Sequence, residues 1–125
     1  MNEQGGASRS ADGTTEFLSP ARFEEEVRRV ARFRPRVALG DALGAAVRKI
    51  EQNPAFTQSR LLTRILSALA YREGEFRRAE VSALDAVALD IVVALMDACA
   101  AGTSTREEWA GAVNAARAAE LGAGG

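Results

Sequence analysis

The chain has 125 residues, of which 47% are hydrophobic and 6% aromatic, and its formal net charge is -1. This length and hydrophobic content predict one domain with its own core and exclude disorder throughout the chain. The absence of histidine and the single cysteine exclude a Cys/His zinc site and a disulfide framework within one chain, while few aromatic residues and many alanines favour helices over sheet.

The first 18 residues are mostly small or polar and contain almost no side chain that a core could bury. We therefore expect residues 1–18 to form a disordered tail. They also lack a basic end followed by an apolar stretch, which is the pattern of a secretion signal. We therefore expect a cytoplasmic location. The chain also has fifteen arginines and one lysine, a ratio that is typical of a GC-rich bacterial genome.

A first helix is expected from Ser19 onward. Ser19 is a favoured N-cap, and Pro20 suits the first helical position because the amide it lacks would have no partner there. The helix should end before Pro35, since proline disfavours helical backbone in the residue that precedes it. Its apolar stripe is thin, which predicts a position on the outside of a helical bundle.

A second helix is expected to begin at Val37 or Asp41 and to end near Gln52, with its apolar residues on one face. Gly40 and Gly44 weaken a helix if they lie in its interior. Two interpretations stay open: the glycines admit a close contact with another backbone, or the helix begins at Asp41 and leaves Gly40 outside.

The third helix should follow Asn53 and Pro54, which can cap and start it. Its apolar side chains lie on one side, and the polar ones predict a solvent-facing stripe made of Arg60, Arg64, Ser67 and Tyr71. Gly74 is suited to end this helix in the left-handed conformation. Residues 75–84 fit either a short helix or an irregular connection.

Residues 84–102 are apolar on almost every side when wound as a helix, and only Asp90, Ala94, Asp97 and Ala101 share a narrower polar and small stripe. The run is too short for a bilayer and carries aspartates in its interior, so no membrane span is expected. Asp85 should cap this helix and Gly102 should end it. We expect the segment 85–101 to be the central helix of the fold.

The last helix is predicted by a capping box of Thr105 and Glu108, with Trp109, Val113 and Ala116 facing inward. The predicted fold is therefore all-α: a compact bundle of four or five helices around the central apolar helix, as a single domain over residues 19–120 with a frayed end at 121–125.

Part of the chain resembles a known family. The matching features are Gln58, Ser59 and Arg60 entering a Leu-rich helix, Gly74 two residues before Phe76, and Val81 and Leu84 ahead of Asp85. Over about residues 42–116 they resemble small uncharacterised proteins encoded on conjugative plasmids and integrative elements of proteobacteria. The resemblance implies a helical fold and a mobile-element setting, and it implies no activity.

The residues of the chain give little indication of a catalytic site or a cofactor site. Nucleophilic catalysis through histidine is excluded, and Cys99 lies in the middle of the apolar helix without an electropositive neighbour. Asp90 and Asp97 suit the solvated stripe of a helix better than a metal site, and Asp85 is needed as a cap. We therefore expect no enzyme, no metal and no cofactor.

Charge segregation is the feature that points to a function. The net charge is -4 over residues 1–27, +8 over residues 28–78 and -5 over residues 79–125. The basic segment supplies the candidate contact residues for a partner or a phosphate: Arg28, Arg29, Arg32, Arg34, Arg36, Arg60, Arg64, Arg77 and Arg78.

Two interpretations of this arginine-rich segment are open. In the first, the chain is a non-catalytic interaction or accessory protein that binds a partner protein through an Arg-rich face. In the second, the same face neutralises the phosphates of DNA or RNA. The sequence pI of about 5.6 favours the first, because dedicated nucleic-acid-binding domains are usually basic. Arginine-rich helices that face acidic ones, within a bundle or across a homodimer, would produce the same segregation.

Overall fold

Helices make up most of the chain in a computed structural model that describes residues 17–33 and 39–124. The elements in chain order are β1 (Phe17–Leu18), α1 (Pro20–Ala31), α2 (Ala42–Gln52), α3 (Thr57–Tyr71), β2 (Phe76–Arg77), α4 (Arg78–Ala83), α5 (Ala86–Ala101) and α6 (Arg106–Gly124). The predicted all-α class is confirmed. The described part has six helices where four or five were predicted. Residues 75–84, which fitted either a short helix or an irregular connection, contain the short helix α4.

Helix starts follow the capping residues of the sequence. The Ser19 hydroxyl accepts from the backbone N–H of Arg22 at 3.3 Å, and the Asp85 carboxylate accepts from that of Ala88 at 2.8 Å. Thr105 and Glu108 form the predicted capping box, with reciprocal bonds of 3.0 and 2.7 Å. Each bond satisfies an amide that the first helical turn leaves without a partner. Local chemistry thus fixes where α1, α5 and α6 begin.

Two helices form the centre of the core. The apolar helix α5 has the predicted bounds and packs against α1, α2 and α3. Helix α3 is buried over more of its length and packs against α2, α5 and α6. Trp109, Val113 and Ala116 of α6 point inward as predicted. The central position predicted for α5 is therefore shared with α3.

The N-terminal end of the domain is fastened by a two-residue antiparallel pairing. Leu18 of β1 pairs with Phe76 of β2, and Leu18 is only 2% exposed. Phe17 and Leu18 belong to the domain, although they were expected in the disordered tail; residues 1–16 lie outside the described residues. Stacking of Phe23 on Phe76, with ring centroids 4.1 Å apart, joins α1 to the same point.

Four details of the helices differ from expectation. Helix α3 begins at Thr57, three residues after Pro54, because residues 53–56 form a turn first. It ends at Arg72, which takes the left-handed conformation (φ 57°) expected of Gly74. Ser67, predicted to face solvent, is buried and accepts a 2.9 Å hydrogen bond from Arg117 of α6. Helix α6 continues to Gly124, beyond the predicted end at 120.

Gly44 is explained by the cap of α2. That helix begins after Asp41, so Gly40 lies outside it, and the Asp41 carboxylate accepts from the Gly44 N–H at 3.0 Å. A Cβ at position 44 would collide with this carboxylate. The glycine therefore makes room for the N-cap and does not admit a neighbouring helix.

Candidate functional site: two arginine groups and a cleft

The candidate arginines fall into two groups in the structure. The α1 group consists of Arg28, Arg29 and Arg32, at the C-terminal end of α1. The α3–α4 group consists of Arg64, Arg77 and Arg78. Arg60 is exposed and lies one helical turn before Arg64 on α3, and Arg34 and Arg36 lie outside the described residues.

The two groups meet at one buried carboxylate. Glu26 of α1 is 7% exposed, and its Oε1 accepts a 3.0 Å hydrogen bond from Arg78 at the start of α4. Its Oε2 lies 3.6 Å from Arg29 and 3.7 Å from Arg22. An ionised carboxylate in this position requires cations close by, because burial without them is costly. Glu26 and Arg78 therefore bind α1 to α4.

Arg64 is the centre of a second set of contacts. Its guanidinium pairs with both carboxylate oxygens of Glu80, donates to the Glu75 carbonyl at 2.6 Å and lies 5.1 Å from the centroid of the Phe76 ring. Such a fork of hydrogen bonds over an aromatic ring is specific to arginine. Arg64 thus joins α3 to β2 and α4.

Glu80 is held in its ionised form by this arrangement. Partial burial raises the pKa of Glu80, but hydrogen bonds from the Arg64 guanidinium and the Arg77 N–H, together with both positive charges, outweigh it and hold the pKa below its ordinary value. Arg77 itself spreads its guanidinium over the Phe17 ring, 5.6 Å from the centroid. All three arginines of the α3–α4 group therefore have partners within the domain.

The ion pairs of the α1 group either have a more exposed carboxylate or are longer than those of the α3–α4 group. Arg28 pairs with Asp97 of α5 at 3.1 Å, and the two side chains are 42% and 41% exposed. Within the described residues Arg29 forms an ion pair with Glu26 alone. Arg32 forms no ion pair with any residue between 17 and 33 or between 39 and 124, and in this range Arg60 forms none either.

A cleft of about 930 Å³ opens between the end of α1, the start of α2 and one side of α5. Its floor is the stripe of α5 that carries Ala94, Ala98 and Ala101. Its lining also includes two arginines, Arg28 and Arg32, and three carboxylates, which are those of Asp41, Asp90 and Asp97. The cleft thus combines a floor of small apolar side chains with charged side chains of both signs.

The cleft was not predicted from the sequence, although some of its residues were noted there. The stripe of α5 was interpreted as a solvated face, and Arg28 and Arg32 were candidate contacts because of their charge alone. Leu39, Asp41 and Leu43 were missed as lining residues, because their place depends on how α2 enters the bundle. Periodicity within one helix carries no signal for that.

Other chemistry in the described chain is limited to isolated groups. Cys99 is half-buried, with Sγ 3.8 Å from the Leu69 carbonyl oxygen. Among residues 17–33 and 39–124, no cluster of three or more acidic or cysteine side chains is arranged to hold a metal ion. None of the described helices combines the length and apolarity that crossing a bilayer requires.

No protein-family model, curated protein or solved structure matches this chain. The resemblance to proteins of conjugative elements therefore stays a prediction.

Proposed function

We propose that the chain is a non-catalytic interaction protein whose partner protein binds at the cleft. The cleft itself carries this proposal, since a small-residue floor that three segments enclose lets another backbone come close. Walls of both charges orient a polypeptide, which carries both charges itself. Arg28 and Arg32 are the members of the predicted arginine set that would touch the partner.

Nucleic acid is the second candidate, and it is favoured by the guanidiniums of Arg32 and Arg60, which have no ion pair among the described residues. Two observations favour protein instead. Arg28, Arg29, Arg64 and Arg78 already pair with carboxylates of the same chain, which lowers the positive potential they can present. The cleft also contains Asp41, Asp90 and Asp97, which repel phosphate.

The mobile-element setting and a cytoplasmic location form the rest of the proposal. The resemblance supports the mobile-element setting, and the cleft does not depend on either.

Photo-cross-linking tests the contact surface. A photoreactive phenylalanine derivative is placed at Ala101, which lines the cleft and is exposed, and at Ala118, an exposed position of α6 that serves as the control. The native host cell then receives either variant, alone or with Ala94→Glu, which sets a charge on the floor. We expect a protein adduct at position 101 that Ala94→Glu abolishes, and none at 118.

The other outcomes are equally defined. An adduct with nucleic acid at position 101 would replace the proposal with the second candidate. Equal adducts at 101 and 118, or none at 101, would contradict binding at the cleft. Circular dichroism of each variant establishes that the helical fold is retained.

A further inference from the structure

The lining of the cleft carries both charges, on different elements. Arg28 and Arg32 lie at the end of α1, whereas Asp41 caps α2 and Asp90 belongs to α5. A two-fold axis that brings two such clefts together sets the arginines of each copy against the carboxylates of the other, which is the requirement for an interface built from one patch used twice.

Arg32 differs from the other arginines along α1 in its surroundings. Arg22, Arg28 and Arg29 each pair with a carboxylate of the same chain, whereas Arg32 pairs with none in the described part of it. Arg32 therefore contributes no ion pair with a described residue to the stability of the monomer. Its guanidinium is available as a counter-charge for a carboxylate of a second copy.

An exposed aromatic side chain lies next to Arg32. Phe33 directly follows it in the chain and is 86% exposed. Exposed ion pairs alone give little affinity. A buried aromatic side chain and a small-residue floor are the features that usually supply the rest.

We propose that the protein bound at the cleft is a second copy of this chain, joined in a two-fold homodimer across the cleft and the end of α1. This inference rests on the proposed function, because it names the partner of the same site. In this dimer Arg32 of each copy faces Asp90 of the other. The net charge of -1 gives the copies no strong mutual repulsion.

Sedimentation of the full chain over a range of concentrations tests the proposal. We expect the mass to rise with concentration from 13.3 kDa to twice that value. Arg32→Glu and Asp90→Arg should each weaken association by about tenfold or more, because each sets like charges opposite one another twice in the dimer. Arg60→Glu, the same change at an exposed arginine outside the cleft, should leave association unchanged.

Mixing the two charge-reversed variants gives the decisive result. An equimolar mixture of Arg32→Glu and Asp90→Arg chains should recover the dimer, since the carboxylate introduced at position 32 then faces the guanidinium introduced at position 90. Misfolding of either variant cannot produce this recovery. A chain that stays monomeric, equal effects of Arg32→Glu and Arg60→Glu, or a mixture that does not recover would each overturn the homodimer.

Failure of the homodimer is distinguishable from failure of the proposed function. If the chain is monomeric while the adduct at position 101 contains another protein and disappears with Ala94→Glu, the cleft is still a binding site and only its occupant is different. If no adduct forms either, both proposals fail. An adduct with the mass of two chains supports both.

Discussion

Each of the two arginine groups has three members, but their surroundings differ. In the α3–α4 group, Arg64 and Arg78 have carboxylates from other elements within hydrogen-bond distance, and an aromatic ring lies below Arg64. In the α1 group, contacts are longer or more exposed, and Arg32 has no counter-charge among the described residues. This difference shows that a set of arginines in the sequence does not by itself define a binding surface. The carboxylates that the fold places near each arginine decide whether it stabilises the domain or stays available to bind a partner.

Removing Arg78 should have the largest effect. In Arg78→Ala the Glu26 carboxylate stays buried, and its remaining cationic partners among the described residues are Arg22 and Arg29, at 3.7 and 3.6 Å. We therefore expect a loss of about 2 to 3 kcal/mol in the free energy of unfolding. Arg29→Ala removes a more exposed partner of the same carboxylate and should cost less than about 0.5 kcal/mol. Urea unfolding followed by circular dichroism measures both, and equal losses would contradict the contrast between the groups.

Arg64 should come next in effect. Arg64→Ala removes the pairing with Glu80, the bond to the Glu75 carbonyl and the contact with Phe76, and we expect it to cost about 1 to 2 kcal/mol because the side chain is partly exposed. Arg64→Lys keeps the charge but not the planar fork, so most of the loss should persist. Full recovery by lysine in the same urea experiment would show that charge alone matters at this position.

Much of the fold was predictable because it depends on neighbours in sequence. Ser19, Asp85, Gly102 and the box of Thr105 and Glu108 act within one helical turn, and the apolar run of α5 is visible in its composition alone. Reliance on local residues also explains one error. A residue in the left-handed conformation is most often glycine, so Gly74 was predicted to end α3, whereas Arg72 takes that conformation at the end of the helix.

The candidate site was less predictable because its contacts are distant in sequence. Glu26 and Arg78 are 52 residues apart, and Arg28 and Asp97 are 69 apart. The segregation of charge suggested that basic and acidic segments could face each other, but it could not identify the pairs. Nor could it separate Arg32 from Arg28, since both lie on one face of α1 and only the position of Asp97 distinguishes them.

Acid should weaken the α3–α4 group through Glu80. Because folding lowers the pKa of Glu80, its ionised form contributes stability that is fully present above the unfolded value, about 4.3, and is lost as the pH falls through the folded one. Glu80→Gln removes this contribution. We expect the variant to be less stable than the natural chain near pH 7 and the difference to shrink steadily below about pH 4.5. Urea unfolding at a series of pH values measures it, and a constant difference would contradict the assigned role.

The smallest effects on the fold should be those of the α1 group. Arg28→Ala removes a half-exposed ion pair with Asp97 and should cost about 0.2 to 1 kcal/mol. Arg32→Ala removes no described ion pair, so the free energy of unfolding should change by less than about 0.5 kcal/mol in either direction. Both are measured at a concentration where the chain is monomeric, because dimer formation would add to the apparent stability.

A loss above about 1 kcal/mol in monomeric Arg32→Ala would give this arginine a structural role and remove the reason for placing it at an interface. A neutral result at low concentration, together with a lower apparent stability than the natural chain at high concentration, is expected only if Arg32 acts between two copies.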